Sequence, residues 1–230
     1  VLGFGQGNYN DHMMQALAQN GNGNAAYTDS LSEARKVLVE EAGSTLFTIA
    51  KDVKIQVEFN PAKVTAYRLI GYENRLLKRE DFADDTKDAG ELGAGHSVTA
   101  LYEIIPLGVK SGFTTDSLKY QVIGVRPDAI GSPELVTINL RYKLPGDSTS
   151  QLLTEPVMAP EVVIGETSKN FRFAAAVAEF GMLLRDSEFK GSASYASVVS
   201  MAKASQGDDS DGYRREFIRL VESCRIMAER

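Results

Sequence analysis

The 230-residue chain has one cysteine, Cys224, and two histidines, His12 and His96. A lone cysteine cannot close an internal disulfide or build a cysteine metal site. No basic cluster is longer than the pair Arg214-Arg215, and the net charge is −6 with an isoelectric point near 5.1. That balance argues against a phosphate-tracking surface, so no nucleic-acid partner is expected. No stretch approaches the roughly 20 apolar residues of a membrane span. The G-x-S-x-G elbow and the H-E-x-x-H zinc helix are both missing. Neither a serine triad nor a zinc site has its framework, and the chain reads as non-enzymatic. No signal peptide is visible, and the chain opens on Val1 inside a strand-like run. It reads as a fragment whose N-terminal part, with any targeting signal, is missing.

What is present is ordinary globular material, 43% hydrophobic and 24% charged, long enough to bury a core. Three textures follow one another. Residues 1 to about 50 read as β-α-β-α: a strand over Val1 to Gly5, then a helix over Asp11 to Gln19 with Met13, Met14 and Leu17 on one face. After the turn "NGNGN" comes a strand over Ala25 to Thr28. Ser30 then stands three residues before Glu33, a capping-box spacing that opens a helix through Leu31, Ala34 and Leu38. From Lys51 the period changes to two. Val53, Ile55, Val57 and Phe59 alternate with Lys54, Gln56 and Glu58, and Val136, Ile138, Leu140 and Tyr142 alternate with Thr137, Asn139 and Arg141. Together with Val64 to Ile70, "VTALYEII" and "LKYQVIGV", these runs predict an antiparallel sheet or sandwich with no intervening helix. The third texture is helical. Phe173, Val177, Phe180 and Leu184 make one stripe, Tyr195, Val198, Val199 and Ala202 a second, and Tyr213, Phe217, Leu220, Cys224 and Met227 a third.

The opening "VLGFGQGNYND" resembles the start of a dinucleotide site, but a fingerprint needs G-x-G-x-x-G with the helix beginning on the glycines. Here the spacing is G-x-G-x-G, three residues delay the helix, and Asp11 sits where a pyrophosphate would bind. An acid there complements the helix dipole and repels a phosphate, so no cofactor is assigned. In "REDFADDTKDAGE", Asp84, Asp85 and Asp88 are calcium candidates, because hard oxygens lie close together. Counted as an EF-hand from Asp84, the sixth position is Ala89 and the twelfth Gly95, and the loop reads more simply as a solvated turn between strands. His96 is expected to begin a strand, and Cys224 to be a small hydrophobe on its helix stripe.

Longer phrases carry a resemblance. "VLGFGQGNYND", "ALAQNGNGNAAYTDSLSEARKVLVEE", "AKDVKIQVEFNPAKVTAYRLIGYENR", "DAGELGAGHSVTALYE" and "NFRFAAAVAEFGMLLR" are similar to a bacterial family. Its members carry a von Willebrand factor type A (vWA) domain followed by a family-specific C-terminal region. The resemblance implies that residues 1–50 are the end of that Rossmann-like domain, 51–166 an antiparallel β-sandwich-like domain, and 167–230 a helical tail. In such domains a metal-ion-dependent adhesion site holds Mg²⁺ on an Asp-x-Ser-x-Ser loop and on later Thr and Asp residues. None of these falls in this chain; "DSTS" at Asp147 to Ser150 fails the spacing. No metal ligand is carried over, and any Mg²⁺ belongs to the preceding part.

The expected function is therefore a non-enzymatic interaction or scaffold protein of the bacterial cell envelope, with protein partners and self-association through the cut vWA elements. The alternative is a ligand- or glycan-binding β module with calcium in loop 80–91. A hydrolase stays open as a third. Two strands cut from a larger parallel sheet leave apolar surface uncovered, so Leu2, Phe4 and Leu38 are expected to contact something other than water.

Overall fold

The computed structural model describes residues 1–5, 7, 9–21, 23–71, 76–109, 124–159 and 163–228, apart from the side chains of residues 44 and 45. The architecture is mixed α/β, with antiparallel sheet in its middle and helices at its C-terminal end. Two compact units are formed. One gathers residues 1–65, 74–98 and 106–159; the other gathers 66–73, 99–105 and 160–230.

In the first unit, β1 (Leu2–Phe4) pairs in parallel with β2 (Ala26–Thr28), Gly3 opposite Tyr27. Between them runs α1 (Asp11–Asn20), whose N-cap Asn10 accepts the Met13 N–H at 3.0 Å. The opening glycines are explained by backbone shape: Gly5 and Gly7 stand at φ 87° and 103°, where a side chain would be strained. At Gly3 the reason is contact, since a Cβ would lie 2.5 Å from the Tyr9 ring. Ser30 caps α2 (Leu31–Arg35) by accepting the Glu33 N–H at 3.2 Å. The single helix expected through Leu38 is instead broken. It passes into a π-helical turn over Lys36–Glu40 and then α3 (Ala42–Leu46). That turn carries Val37 and Val39, whose branched side chains lose rotamer freedom in a regular helix. In α1 only Ala18 is fully buried, while Met13 and Leu17 remain exposed. Leu2, Phe4 and Leu38 are 36%, 64% and 55% exposed, so the α/β piece leaves much of its apolar surface to solvent.

The remaining strands are β3 (Thr48–Phe59), β4 (Val64–Ile70), β5 (Gly90–Gly93), β6 (Leu101–Pro106), β7 (Glu134–Lys143) and β8 (Gln151–Met158). A four-stranded sheet has the order β5-β3-β7-β8, each described pairing antiparallel. Its register reproduces the sequence alternation. Ile55 faces Leu140 and Val57 faces Ile138 on one side; Gln56 faces Asn139 and Glu58 faces Thr137 on the other. Gln56, Asn139 and Thr154 form a hydrogen-bonded row across three strands. Strand β8, which is not among the runs read from the sequence, carries Pro156, a residue without a backbone donor. Among the described strands β8 lies at the edge of its sheet, where a proline is tolerated. Of the β domain expected over 51–166, the antiparallel sheet character is present among the described residues. Strands β4 and β6 form a separate two-stranded sheet, most of which belongs to the second unit. The expected strand "LKYQVIGV" lies mostly outside the described residues. His96 does not begin a strand: it follows the turn after β5, its N–H donating to Gly93 O at 3.1 Å. The short helix α4 (Pro127–Gly131) precedes β7.

In the second unit, Arg68 on β4 joins Glu103 on β6 at 2.6 Å and lies 4.2 Å from the Phe189 ring centre. Three helices, α5 (Lys169–Leu184), α6 (Tyr195–Ala204) and α7 (Tyr213–Ala228), surround a core of Ala176, Phe180, Val198, Val199, Ala202, Ile218 and Val221. Phe217 packs edge-on to Phe173 and Phe180 at 5.4 and 5.6 Å. Each helix start is closed by a side chain: Ser168 caps α5, Ser194 and Ser197 form a reciprocal box on α6, and Asp209 accepts the Arg214 and Arg215 amides before α7. Cys224 packs against this core as expected. Two stripes are rotated from the sequence reading. In α5 Ala176 is buried where Val177 was expected, and in α7 Ile218 and Val221 are buried while Leu220 and Met227 are exposed. A stripe wider than one residue allows either edge to face inward, and the small Ala176 permits the closest approach. No helix among the described residues is long and apolar enough to cross a membrane.

Phe180→Ala is expected to cost about 3–5 kcal/mol, whereas Val177→Ala should stay within about 0.5 kcal/mol. Urea unfolding of both variants measures this, and equal losses would place Val177 in the core.

Candidate functional site

The densest polar constellation lies on the first unit's sheet, where an irregularity in β3 meets the acidic loop. Pairing of β3 with β7 shifts between Lys51 and Lys54, and pairing with β5 shifts between Ala50 and Val53. Asp52 sits inside both shifts at φ 49°, a left-handed conformation that Asp tolerates better than most residues. The bulge brings the Asp52 carboxylate to Lys143, Nζ to Oδ2 at 2.7 Å, and its other oxygen accepts the Ala89 N–H at 3.3 Å.

Lys54, on the polar face of β3, is only 3% exposed. Its ammonium donates to the backbone carbonyls of Asp81, at 3.1 Å, and Asp84. Lys143 also donates to Asp85 O at 2.8 Å. The Asp85 carboxylate accepts from Ser150 Oγ at 2.6 Å and lies 3.6 Å from Arg141, which itself donates to Ser150 Oγ at 2.7 Å. The Arg141 guanidinium stands 5.8 Å from the Phe82 ring centre, and its buried Nε has no hydrogen-bond partner. The three cations Lys54, Arg141 and Lys143 thus hold residues 79–93 against the sheet.

The charges answer to these contacts. The Lys143 hydrogen bond holds the Asp52 carboxyl below its ordinary range, and the same bond pushes the Lys143 ammonium up. Hydrogen bonds from Thr86 lower Asp84, and those from Ser150 lower Asp85.

Of the sequence-predicted calcium candidates, Asp84 turns its carboxylate to Thr86, with bonds of 2.9 and 2.7 Å, and Asp85 turns to Ser150 and Arg141. Asp88 lies near enough to Asp52 to act on its carboxyl. The carboxylate of Asp84 is therefore engaged within the loop and that of Asp85 on the sheet, while the lysine ammonium groups take the loop's backbone carbonyls. No group of three or more metal-ligating side chains is found among the described residues. Sequence reasoning missed Asp52, Lys54, Arg141, Lys143 and Ser150. The available signal was that three cations share the polar side of two paired strands while an acidic run lies nearby.

Two other depressions lie in the first unit. One, of about 280 Å³, is at the end of β1 beside Gly3, Gly5, Tyr9 and Asn10. There the first helix turn is already capped by Asn10 and begins with Asp11. The other, of about 450 Å³, is a groove beside Glu58, Arg126, Asp128, Ser132, Glu134 and Thr137. Asn60 builds its wall by donating to the carbonyls of Ala129 and Glu134, both at 3.0 Å.

Residues 44–227 match the family described as "Uncharacterized protein YfbK, C-terminal". The Uncharacterized protein YfbK of Escherichia coli (strain K12) is 44% identical over 222 residues, which cover 96% of this chain. The matched span is 38% of the length of that relative. No solved structure matches. The family span opens just before β3 and takes in the bulge, the loop and the helices, whereas residues 1–43 lie outside it.

Asp52 has a lowered carboxyl in the folded state. Its contribution to stability is thus present above the ordinary value of 3.8 and lost as pH falls through the lower folded value. Asp52→Asn is expected to reduce stability at pH 7 by roughly 1–3 kcal/mol and to flatten the loss that sets in as pH falls below the ordinary value of 3.8. Lys143 gives the opposite limb: its stabilisation is present below 10.5 and lost as pH rises through its raised value. Urea midpoints across pH check both limbs, and an unchanged acid limb in the variant would remove Asp52 from the account.

Proposed function

The chain belongs to the YfbK C-terminal family, and from that premise we propose that it serves protein–protein interaction, as a non-enzymatic scaffold following a vWA domain in the bacterial cell envelope. The observation that carries this reading is the apolar surface of the α/β piece. Phe4, Met13, Leu31, Val39, Leu46 and Phe47 are all more than half exposed. Scattered apolar residues are normal, but this many within one short piece indicate a surface meant to be covered.

In this reading the covering is the rest of a parallel α/β sheet, supplied by the remainder of the longer protein. The envelope placement and the vWA domain follow from the family resemblance. Mg²⁺ would bridge a partner's acidic side chain from that preceding part, and the residues of this chain supply none of its ligands. Self-association through the same surface is the competing use of it.

The test has two arms. In hydroxyl-radical footprinting, Met13 is expected to be reactive in the 230-residue chain and at least several-fold protected in the full-length protein. Equal reactivity would leave the surface without its proposed cover. Affinity capture with full-length protein, with Mg²⁺ or with a chelator, should recover partners only with the metal. Recovery of the same partners without metal would move the interaction to the C-terminal region.

A second reading, a ligand- or glycan-binding module, draws on the polar groove beside Glu58 and Glu134. Its calcium would have to displace two ammonium groups from the oxygens of loop 80–91. A thermal shift with Ca²⁺ and none with Mg²⁺ would favour this second reading, since a ligand of the folded state raises its stability. No shift with either ion is expected.

A further inference from the structure

We propose that residues 79–93 are an autoinhibitory strap. It occupies a cationic surface on β3 and β7 whose other occupant is an extended acidic peptide of a partner protein.

The proposal stands on three observations. First, the cluster is concentrated in an acidic chain: Lys54 and Arg141 are register partners on adjacent strands, and Lys143 lies two residues along β7. Second, the oxygens that satisfy these cations come largely from the strap, as backbone carbonyls of Asp81, Asp84 and Asp85 and as the Asp85 carboxylate. An extended acidic peptide offers the same set, carbonyls at regular spacing with carboxylates between them. Third, the fit is incomplete, because the buried Arg141 Nε finds no acceptor in the strap. A peptide that reached it would gain a charge-assisted hydrogen bond that the strap does not make.

The strap is also built to leave. Its contact with the sheet is mainly polar, Phe82 being its one ring near the cluster. Strand β5 pairs with β3 through only three described positions, interrupted twice, while β3 and β7 pair over a much longer register. Segments with few apolar contacts and broken ladders open at lower free energy than the sheet they cover. While the strap is tethered, its effective concentration is high and a free peptide competes poorly. This inference rests on charge complementarity and does not depend on the apolar surface described under the proposed function.

Two measurements on the 230-residue chain test it. In native-state hydrogen exchange, the amides of Thr86, Lys87 and Ala89 should exchange at least about 10-fold faster than those of β7 such as Asn139 and Leu140. Exchange of both sets at one common rate would show that the strap does not open separately. In the second, the probe is a fluorescent octaglutamate peptide followed by anisotropy. The double variant Phe82→Ala, Asp85→Ala loosens the strap and should bind the probe at least about 10-fold more tightly than the parent chain. Adding Lys54→Met and Lys143→Met to that variant should abolish the gain, and an octalysine peptide should show none. If strap exchange rises in the double variant and octaglutamate affinity does not, the cationic surface is no peptide site. Retained β7 protection in each variant establishes that it is folded.

Discussion

A lysine ammonium withdrawn from water has to be matched by oxygen atoms, and Lys54 is withdrawn almost completely. The polar face of β3 cannot supply those atoms from its own strand. They arrive from the carbonyls of Asp81 and Asp84, so the loop must cross the sheet at that height. Once the loop is there, Asp85 meets Ser150 and Arg141, and Lys143 finds both Asp52 and the Asp85 carbonyl. The bulge at Asp52 belongs to the same solution. Without the extra residues between the Lys51 and Lys54 pairings, the carboxylate that neutralises Lys143 would lie elsewhere on the strand. One buried charge thereby accounts for the path of the loop and the kink of the strand beneath it.

Much of this architecture can be read directly from periodicity. The faultless alternation of residues 53–59 and 136–142 gives two strands whose observed register pairs apolar with apolar and polar with polar. Caps are local chemistry, and Ser30 before Glu33 forms the bond its spacing predicts. What escaped had non-local causes. Strand β8 is permitted by its place at an edge, which Pro156 alone cannot announce. The faces of α5 and α7 were chosen by their neighbours: Ala176 allows close packing, and Val177 turns outward. The acidic loop was legible as acidic, but its partners lie on strands tens of residues away in sequence, and the polar side of an alternating strand looks the same whether water or a loop covers it.

The family span and the change of texture agree. Residues 44–227 carry the family signature, and the α/β piece before them contributes the parallel pair β1 and β2 with its exposed apolar side chains. These two regions face different physical problems. The sheet of the family region closes its charges internally, whereas the α/β piece leaves much of its hydrophobic side-chain area exposed.

The second unit draws residues 66–73 and 99–105 from the middle of the chain and joins them with 160–230. A ribosome therefore releases β4 and β6 before any of the helices with which they are grouped, and the strands β7 and β8 are made in the interval. The two short strands can pair with each other but must wait for the helices through that interval, a nested order that raises the sequence separation of their contacts and slows their completion relative to the local helix pairs. During synthesis the first unit's sheet can thus be completed before the final company of that pair has been translated.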